Sequence, residues 1–292
     1  MLKPFVKWVG GKKQLLDELT KIVNENFKNY ETYIEPFVGG GALLFKLSPP
    51  SFIINDQNSE LINLYKVVKE NPQELLNSLR MYEKNNSQDY YYNVRQSDRE
   101  AFYKLRSSVS LKEKVEQSAR FIYLNKTCFN GMYRVNSNGY FNVPFGNYKN
   151  PNIVNENNIL IVSKFLNNSK NKILNADFEF VLKFAKKNDL VYFDPPYIPL
   201  ENTKSFTSYT SNGFTLEDQI RLRDCALKLI NKKVNVILSN SYTEKTFEIY
   251  DLLSLNSKFN YLVVNVNRSI NSNGKKRTGA KEIIIWNKKE ES

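Results

Sequence analysis

Hydrophobic positions along this chain form short continuous runs near both ends and a different, helical spacing in the middle. Runs of consecutive apolar residues mark strands buried on both faces. They occur at Glu31-Thr32-Tyr33-Ile34-Glu35, Ser51-Phe52-Ile53-Ile54-Asn55-Asp56, Ile173-Leu174-Asn175-Ala176-Asp177, Asp189-Leu190-Val191-Tyr192-Phe193-Asp194 and Val234-Asn235-Val236-Ile237-Leu238. The first run passes through Pro36-Phe37-Val38-Gly39-Gly40-Gly41 into Ala42-Leu43-Leu44-Phe45, the opening of a helix. Thr215-Leu216-Glu217-Asp218 starts another helix, whose inner face is expected to carry Ile220, Leu227 and Ile230. Tyr261-Leu262-Val263-Val264 and Ile283-Ile284-Ile285-Trp286 read as a closing pair of strands, joined by the polar, basic stretch from Arg268 to Lys281. Strand, glycine turn, helix and strand begin a doubly wound α/β sheet.

The alternation breaks between Gln57 and Asn150, where helices and loops are expected. Asn71-Pro72 places a capping residue before a proline at the first helical position. Ser110-Leu111-Lys112-Glu113 is a capping box, and Leu111, Val115 and Ile122 continue its helix. Asp89-Tyr90-Tyr91-Tyr92 reads as packing between helices. The expected organisation is a catalytic-type α/β domain in two pieces, 1–56 and 151–292, with a mainly helical insert over 57–150. There are no internal repeats. A length of 292 residues is ample for one large core and an accessory unit.

Composition narrows the chemistry. The sequence has no histidine, which excludes Ser-His-Asp hydrolases and HExxH metalloproteases. Its two cysteines, Cys128 and Cys225, are too few for a multi-cysteine zinc site or a disulfide framework. No apolar run approaches a membrane span, and the N-terminus lacks the continuous apolar stretch of a secretory signal. A cytoplasmic, reduced setting is expected. The net charge of +12 suggests a polyanion, nucleic acid first. The competing reading is a lysine-rich surface in a chain biased towards Asn, Lys, Ile and Tyr.

Two segments carry candidate chemistry. Three glycines between a strand and a helix let backbone approach a ligand closely, and Asp56 falls 21 positions after Glu35, where an acid commonly accepts from ribose hydroxyls. The carboxylate of Glu35 would repel a pyrophosphate there and suits a ligand bearing an amine or sulfonium cation. A tight structural turn is the alternative. Asp194-Pro195-Pro196-Tyr197 follows a buried-type strand directly. Its prolines fix the backbone as it leaves the sheet, at the carboxyl edge where open α/β sheets bind ligands. A carboxylate, a fixed carbonyl and a flat ring suit an exocyclic amine on a planar base. The alternative is a rigid loop with a capping Asp and a core Tyr.

These residues stand within a longer ordered set. Lys7-Trp8-Val9-Gly10-Gly11-Lys12, Glu35-Pro36-Phe37-Val38-Gly39-Gly40-Gly41 and Asp56 come first. Tyr123-Leu124-Asn125-Lys126, Asn130-Gly131-Met132-Tyr133-Arg134 and Gly139-Tyr140-Phe141-Asn142-Val143-Pro144-Phe145-Gly146 follow. Asp194-Pro195-Pro196-Tyr197, Arg268-Ser269-Ile270 and Ser272-Asn273-Gly274 complete it. Over nearly its whole length the chain resembles the Dam-type DNA adenine-N6 methyltransferases, which include GATC-specific enzymes of restriction–modification systems.

The resemblance implies a Rossmann-like S-adenosylmethionine-dependent methyltransferase sheet, with a target-recognition insert that binds double-stranded DNA. It implies S-adenosyl-L-methionine as cofactor, with Trp8, Lys12, Glu35, Gly39, Asp56, Asp177, Phe178 and Asp194 at its site. Asp56 resembles the ribose ligand, and Asp177 with Phe178 the pair that brackets the adenine. Lys7, Phe129, Asn130, Met132, Arg134 and Pro144 are implied as DNA-binding residues, with Arg134 resembling the arginine that reads the first guanine of GATC. Phe129 stands where relatives often carry an intercalating Tyr, keeping the aromatic wedge without its hydroxyl.

The implied reaction holds a flipped-out adenine by hydrogen bonds from N6 to Asp194 and the Pro195 carbonyl, while Tyr197 stacks on the ring. These acceptors stabilise the charge that develops on N6 during attack on the sulfonium methyl. No covalent enzyme intermediate is needed, so Cys128 and Cys225 are expected to be dispensable. No metal is implied. A monomer is expected to suffice, and a cognate restriction endonuclease is a candidate partner. The segment Ile198 to Gly213 is expected to form a lid over the base. Amine-holding geometry alone leaves open cytosine N4, RNA adenine or a protein amide as acceptor. A non-catalytic DNA-binding protein is the alternative from another class; a nicotinamide dehydrogenase fits the glycine pattern poorly.

Overall fold

The computed structural model describes residues 2–8, 13–99, 110–167, 170–199, 213–266 and 280–288. Lys12, most of the expected lid (200–212) and most of the basic connection (267–279) lie outside the described residues. Seven strands form one sheet: β1 (Tyr33–Glu35), β2 (Phe52–Asn55), β3 (Lys172–Leu174), β4 (Leu190–Phe193), β5 (Asn235–Ser241), β6 (Phe259–Val266) and β7 (Ala280–Asn287). Their order is β3-β2-β1-β4-β5-β7-β6. β1 pairs in parallel with β2 and β4, and β4 with β5, whereas β7 is antiparallel to both β5 and β6. The sheet is therefore the doubly wound α/β arrangement that the runs of apolar residues predict.

Strand order reverses between β1 and β4. In open α/β sheets that switch point opens a crevice at the carboxyl ends of the strands. The residue at the end of β1 is Glu35, and the residue just after β4 is Asp194. β1, β2 and β4 are buried along their whole length, as continuous apolar runs covered on both faces must be.

Several strand ends are shorter than the sequence suggests, because polar residues there bind backbone instead of extending the ladder. Asp189 accepts from Thr32 N–H at 3.0 Å and from Lys186 N–H at 2.8 Å, so it ties a turn ahead of β4. Asp177 caps the short helix Phe178–Phe180 by accepting from Glu179 N–H.

The helix Leu216–Asn231 needs a correction. It starts where expected, with Thr215 and Asp218 forming a capping box. Its buried face, however, is Gln219, Leu222, Cys225, Ala226 and Leu229, while Ile220 is 42% exposed and Leu227 and Ile230 are only half-buried. A count of large apolar residues misses this face because a fully buried glutamine occupies one of its positions.

Close packing divides the chain into two units. One comprises 1–12, 39–48 and 56–175; the other comprises 13–38, 49–55 and 176–292. The first holds the insert helices Ser59–Glu70, Pro72–Lys84, Gln88–Gln96 and Leu111–Thr127, with Glu156–Leu166. The Ser110–Glu113 capping box opens Leu111–Thr127, and Asn71 occupies the cap position before Pro72 without a side-chain cap bond. The tyrosine run packs: Tyr91 is fully buried and donates to Val143 O at 2.8 Å, and Tyr90 meets Tyr82 and Tyr123. Both cysteines are buried thiols, with burial pushing Cys128 up to about 11 and Cys225 up to about 12. No helix among the described residues is long and apolar enough to cross a membrane.

Candidate active site and nucleic-acid interface

In the second unit, the residues read as catalytic collect at the switch point. Glu35 is only 3% exposed and accepts from Tyr33 Oη at 3.0 Å. Burial, then the neighbouring Glu35 charge, raises the Tyr33 phenol well above its usual range, so it stays a neutral donor. Beneath Asp194, the Tyr192 hydroxyl meets Ser239 Oγ at 2.9 Å. Burial and the Asp194 carboxylate hold this phenol well above its usual range too.

The tetrad itself is pinned from behind. Gln219 Nε2 donates to Pro196 O at 2.9 Å, Ile198 N–H donates to Asn240 Oδ1 at 3.1 Å, and Ser241 Oγ donates to Ile198 O at 2.6 Å. Tyr197 Oη donates to Glu282 Oε2 at 3.3 Å, and Glu282 is 8% exposed on β7. Among the described residues the Pro195 carbonyl accepts no hydrogen bond, whereas the Pro196 carbonyl is engaged. An unengaged carbonyl and the neighbouring carboxylate can each accept one of the two hydrogens of a single amine.

Asp177 and Phe178 lie in the same unit. Phe178 is 1% exposed, packed by Phe37 at 5.6 Å and Phe214 at 5.8 Å. The Arg221 guanidinium sits 4.9 Å over its ring and pairs with Asp177, Glu179 and Asp218. These acids hold the Arg221 guanidinium above its usual range. Its side chain is 43% exposed.

The first unit holds the other residues. Asp56 Oδ2 accepts from Gly39 N–H at 3.0 Å and Oδ1 from Asn58 N–H at 2.9 Å. Burial raises the Asp56 carboxyl, and these two bonds oppose the rise. Gly39 has φ +48°, and a Cβ there would stand 2.6 Å from Trp8 Cδ1, so both backbone strain and the indole require glycine. Trp8 stacks with Tyr133 at 5.4 Å and Phe121 at 6.2 Å. Tyr133 Oη donates to Glu60, and burial raises both groups.

A second cluster in this unit gathers the residues read as contacting DNA. Asn125, 1% exposed, accepts from Lys7 N–H at 2.7 Å and donates to Lys7 O at 2.7 Å and Gly131 O at 3.0 Å. It thereby ties the N-terminal segment to the turn Phe129–Gly131. Phe129 N–H donates to Pro144 O at 2.9 Å, and the Phe129 side chain is 50% exposed. Asn130 is exposed in a left-handed conformation, with φ 57°. Met132 is half-buried, and its carbonyl accepts from Cys128 Sγ.

Arg134 is exposed on a hairpin-like loop closed by the Val135–Phe141 bridge. Its Nε donates to Asn142 Oδ1 at 2.7 Å and its Nη2 to Asn142 O at 3.3 Å. Desolvation, then the neighbouring Lys7 charge, pushes the Lys126 ammonium down to about 8.

Sequence reasoning did not assign Asn142, Gln219, Asn240 or Glu282. Asn142 was visible as part of an ordered motif. The other three are polar residues within strand or helix patterns, and only tertiary packing shows them buried and bonded.

Residues 8–270 match the D12 class N6 adenine-specific DNA methyltransferase family. The chain belongs to that family. It is 45% identical over 286 residues to the Type II methyltransferase M1.LlaDCHI of Lactococcus lactis subsp. cremoris, covering 98% of this chain and 95% of that protein. It is 43% identical over 301 residues to the Type II methyltransferase M.MjaIII of Methanocaldococcus jannaschii, covering 98% and 99%. To the DNA adenine methylase of Escherichia coli it is 34% identical over 289 residues, covering 97% and 94%. The protein is accordingly an adenine-specific DNA methyltransferase, and DNA adenine prevails over the cytosine, RNA and non-catalytic alternatives.

Proposed function

We propose that this enzyme transfers a methyl group from S-adenosyl-L-methionine to N6 of an adenine flipped out of duplex DNA, within GATC. One observation carries the reading furthest. At the switch point, Asp194 is followed by a Pro195 carbonyl that accepts no described hydrogen bond, while the neighbouring Pro196 carbonyl is occupied by Gln219. The N6 amine donates to Asp194 and the Pro195 carbonyl, and Tyr197 stacks on the base. Adenine's amine is a poor nucleophile because its lone pair is delocalised into the ring. Two acceptors favour a pyramidal nitrogen and stabilise its growing positive charge more than the ground state.

The residues present fit the cofactor. Asp56 can accept from a ribose diol beside its two backbone bonds, and the buried acid Glu35 suits a sulfonium cation. Bound there, S-adenosyl-L-methionine supplies an electrophilic methyl group. Trp8, Lys12, Gly39 and Asp194 are assigned to the same cofactor. Asp177 and Phe178 bracket its adenine, which needs Arg221 to leave the Phe178 ring and loosen its pairs with Asp177, Glu179 and Asp218; the cation–π contact is worth about 0.5–1 kcal/mol and each of these surface pairs about 0–1 kcal/mol.

Residues 57–150 serve as the target-recognition insert between catalytic pieces 1–56 and 151–292. Lys7, Phe129, Asn130, Met132, Arg134 and Pro144 contact DNA, with Phe129 filling the gap left by the flipped base. The net charge of +12 suits that partner. A monomer suffices, since one base is modified at a time. The Type II names of two relatives support a restriction–modification setting, with a cognate endonuclease as partner, in the cytoplasm.

Arg134 tests the recognition half. Asn142 holds its guanidinium, so the fork is oriented before guanine O6 and N7 arrive. Arg134→Ala is expected to lower the preference for GATC over sites altered at the first guanine by about 1–3 kcal/mol, which is roughly 5- to 150-fold. Methylation of paired oligonucleotides reads this ratio. An unchanged ratio with uniformly weaker binding would reduce Arg134 to a phosphate contact.

A further inference from the structure

We infer that Gln219 and Asn240 are positioning residues, forming a hydrogen-bonded relay that decides which proline carbonyl of the tetrad is offered to the substrate amine. The inference rests on the assignment of Asp194-Pro195-Pro196-Tyr197 as the amine-holding element, and it deepens that assignment.

Both side chains are fully buried. The direction of the relay is fixed by backbone groups at one end. Asn240 Oδ1 receives two main-chain donors, Ile198 N–H at 3.1 Å and Ser241 N–H at 2.9 Å. The atom facing two N–H groups must be the oxygen, so the Asn240 amide cannot flip. Its Nδ2 then faces Gln219 Oε1 at 3.0 Å, and Gln219 Nε2 faces Pro196 O at 2.9 Å. Each step forces the next. The relay ends by binding the carbonyl that must not compete for the amine.

The chemistry of two successive prolines makes this matter. Their rings fix φ at both residues, and neither has an N–H. What remains free is the rotation of each carbonyl. Gln219 holds the Pro196 carbonyl, and Ser241 Oγ at 2.6 Å with Asn240 holds both backbone groups of Ile198. The tetrad is thus clamped on its exit side, and the Pro195 carbonyl keeps its direction. Without the relay, Pro196 O would be a buried or competing acceptor, and the peptide ahead of it could rotate. Placement errors near an ångström at a reacting group can cost roughly 100-fold in rate.

Gln219→Glu distinguishes this from a merely structural role. The glutamate keeps the shape and can still accept from Asn240. Only its protonated form donates to Pro196 O. Burial raises its pKa, so the donor returns as pH falls. Relative to wild type at each pH, kcat for methyl transfer to DNA is expected to be roughly 10- to 100-fold low near pH ~8.5 and to recover severalfold or more by pH ~6. Binding of S-adenosyl-L-methionine and of duplex DNA should stay within about threefold of wild type, a shift smaller than one ordinary hydrogen bond. Gln219→Met, which lacks the donor at every pH, is expected to show the same kcat defect without acid recovery. If the methionine variant fails to fold, the glutamate variant alone carries the test, because its neutral form is isosteric.

Asp194→Ala runs alongside as the control. If it is inactive while both Gln219 variants match wild-type kcat, the relay is overturned and the amine-holding assignment stands. If Asp194→Ala itself turns over normally, the assignment fails. A Gln219→Glu defect independent of pH would also overturn the relay.

Discussion

Replacing Asp194 with alanine is expected to abolish detectable methyl transfer while leaving sequence-specific DNA binding largely intact. The carboxylate stands immediately after β4, next to the Pro195 carbonyl, while the Pro196 carbonyl is held by Gln219. Removing one preorganised electrostatic partner typically costs roughly 10²–10³ in kcat. Here the lost partner is also a full negative charge facing the nitrogen that becomes positive. DNA recognition is assigned to residues of the other packing unit, so binding of a GATC duplex should change little. Labelled-methyl incorporation and a DNA titration read the two effects separately. Near wild-type turnover in the variant would contradict the mechanism.

The largest expected effect on stability involves residues that are assigned no part in the chemistry. Asp98 and Arg120 form an ion pair at 3.0 Å, with side chains only 8% and 5% exposed. Asp98 also accepts from Phe141 N–H at 2.6 Å, which ties it to the loop carrying Arg134. Arg120 also donates from Nε to Val94 O and Ser97 Oγ and from Nη2 to Arg95 O. Asp98→Ala leaves a buried guanidinium without its paired carboxylate, with only the neighbouring Glu60 charge, and a backbone N–H without its acceptor. A loss of about 3–5 kcal/mol in unfolding free energy is expected. Replacing both partners together with apolar residues should cost less than the single change, because no orphaned charge remains. Urea unfolding of the wild type and the two variants measures this. A loss under about 1 kcal/mol for Asp98→Ala would place the pair among the weak surface bridges instead.

The sheet was legible in the sequence because its central strands are continuous apolar runs, and the tetrad because two prolines after such a run are hard to place otherwise. Glu35 was singled out at the end of one strand, and Asp56 and Asp194 directly after two others. The capping box at Ser110 and the helix start at Thr215 were local signals and formed as read. The inner face of Leu216–Asn231 was misread for a physical reason. Gln219 sits at a fully buried position of that helix, stabilised by partners from β5 and the tetrad that lie distant in sequence. Asn125 likewise looks like an ordinary polar residue until Lys7, more than a hundred positions earlier, is seen paired with it. Hydrophobic periodicity reports which residues leave water; it cannot report which polar residues leave water together.

The central claim is that the exit of β4 holds a target base by its exocyclic nitrogen. It is tested most directly by a crystal structure of the enzyme with a GATC duplex and a non-transferable analogue of S-adenosyl-L-methionine. The expected result is an adenine outside the duplex, its N6 within about 3 Å of both an Asp194 carboxylate oxygen and the Pro195 carbonyl, with Tyr197 against its ring. An adenine still stacked in the helix, or an extruded one whose amine is bound elsewhere, would contradict the account.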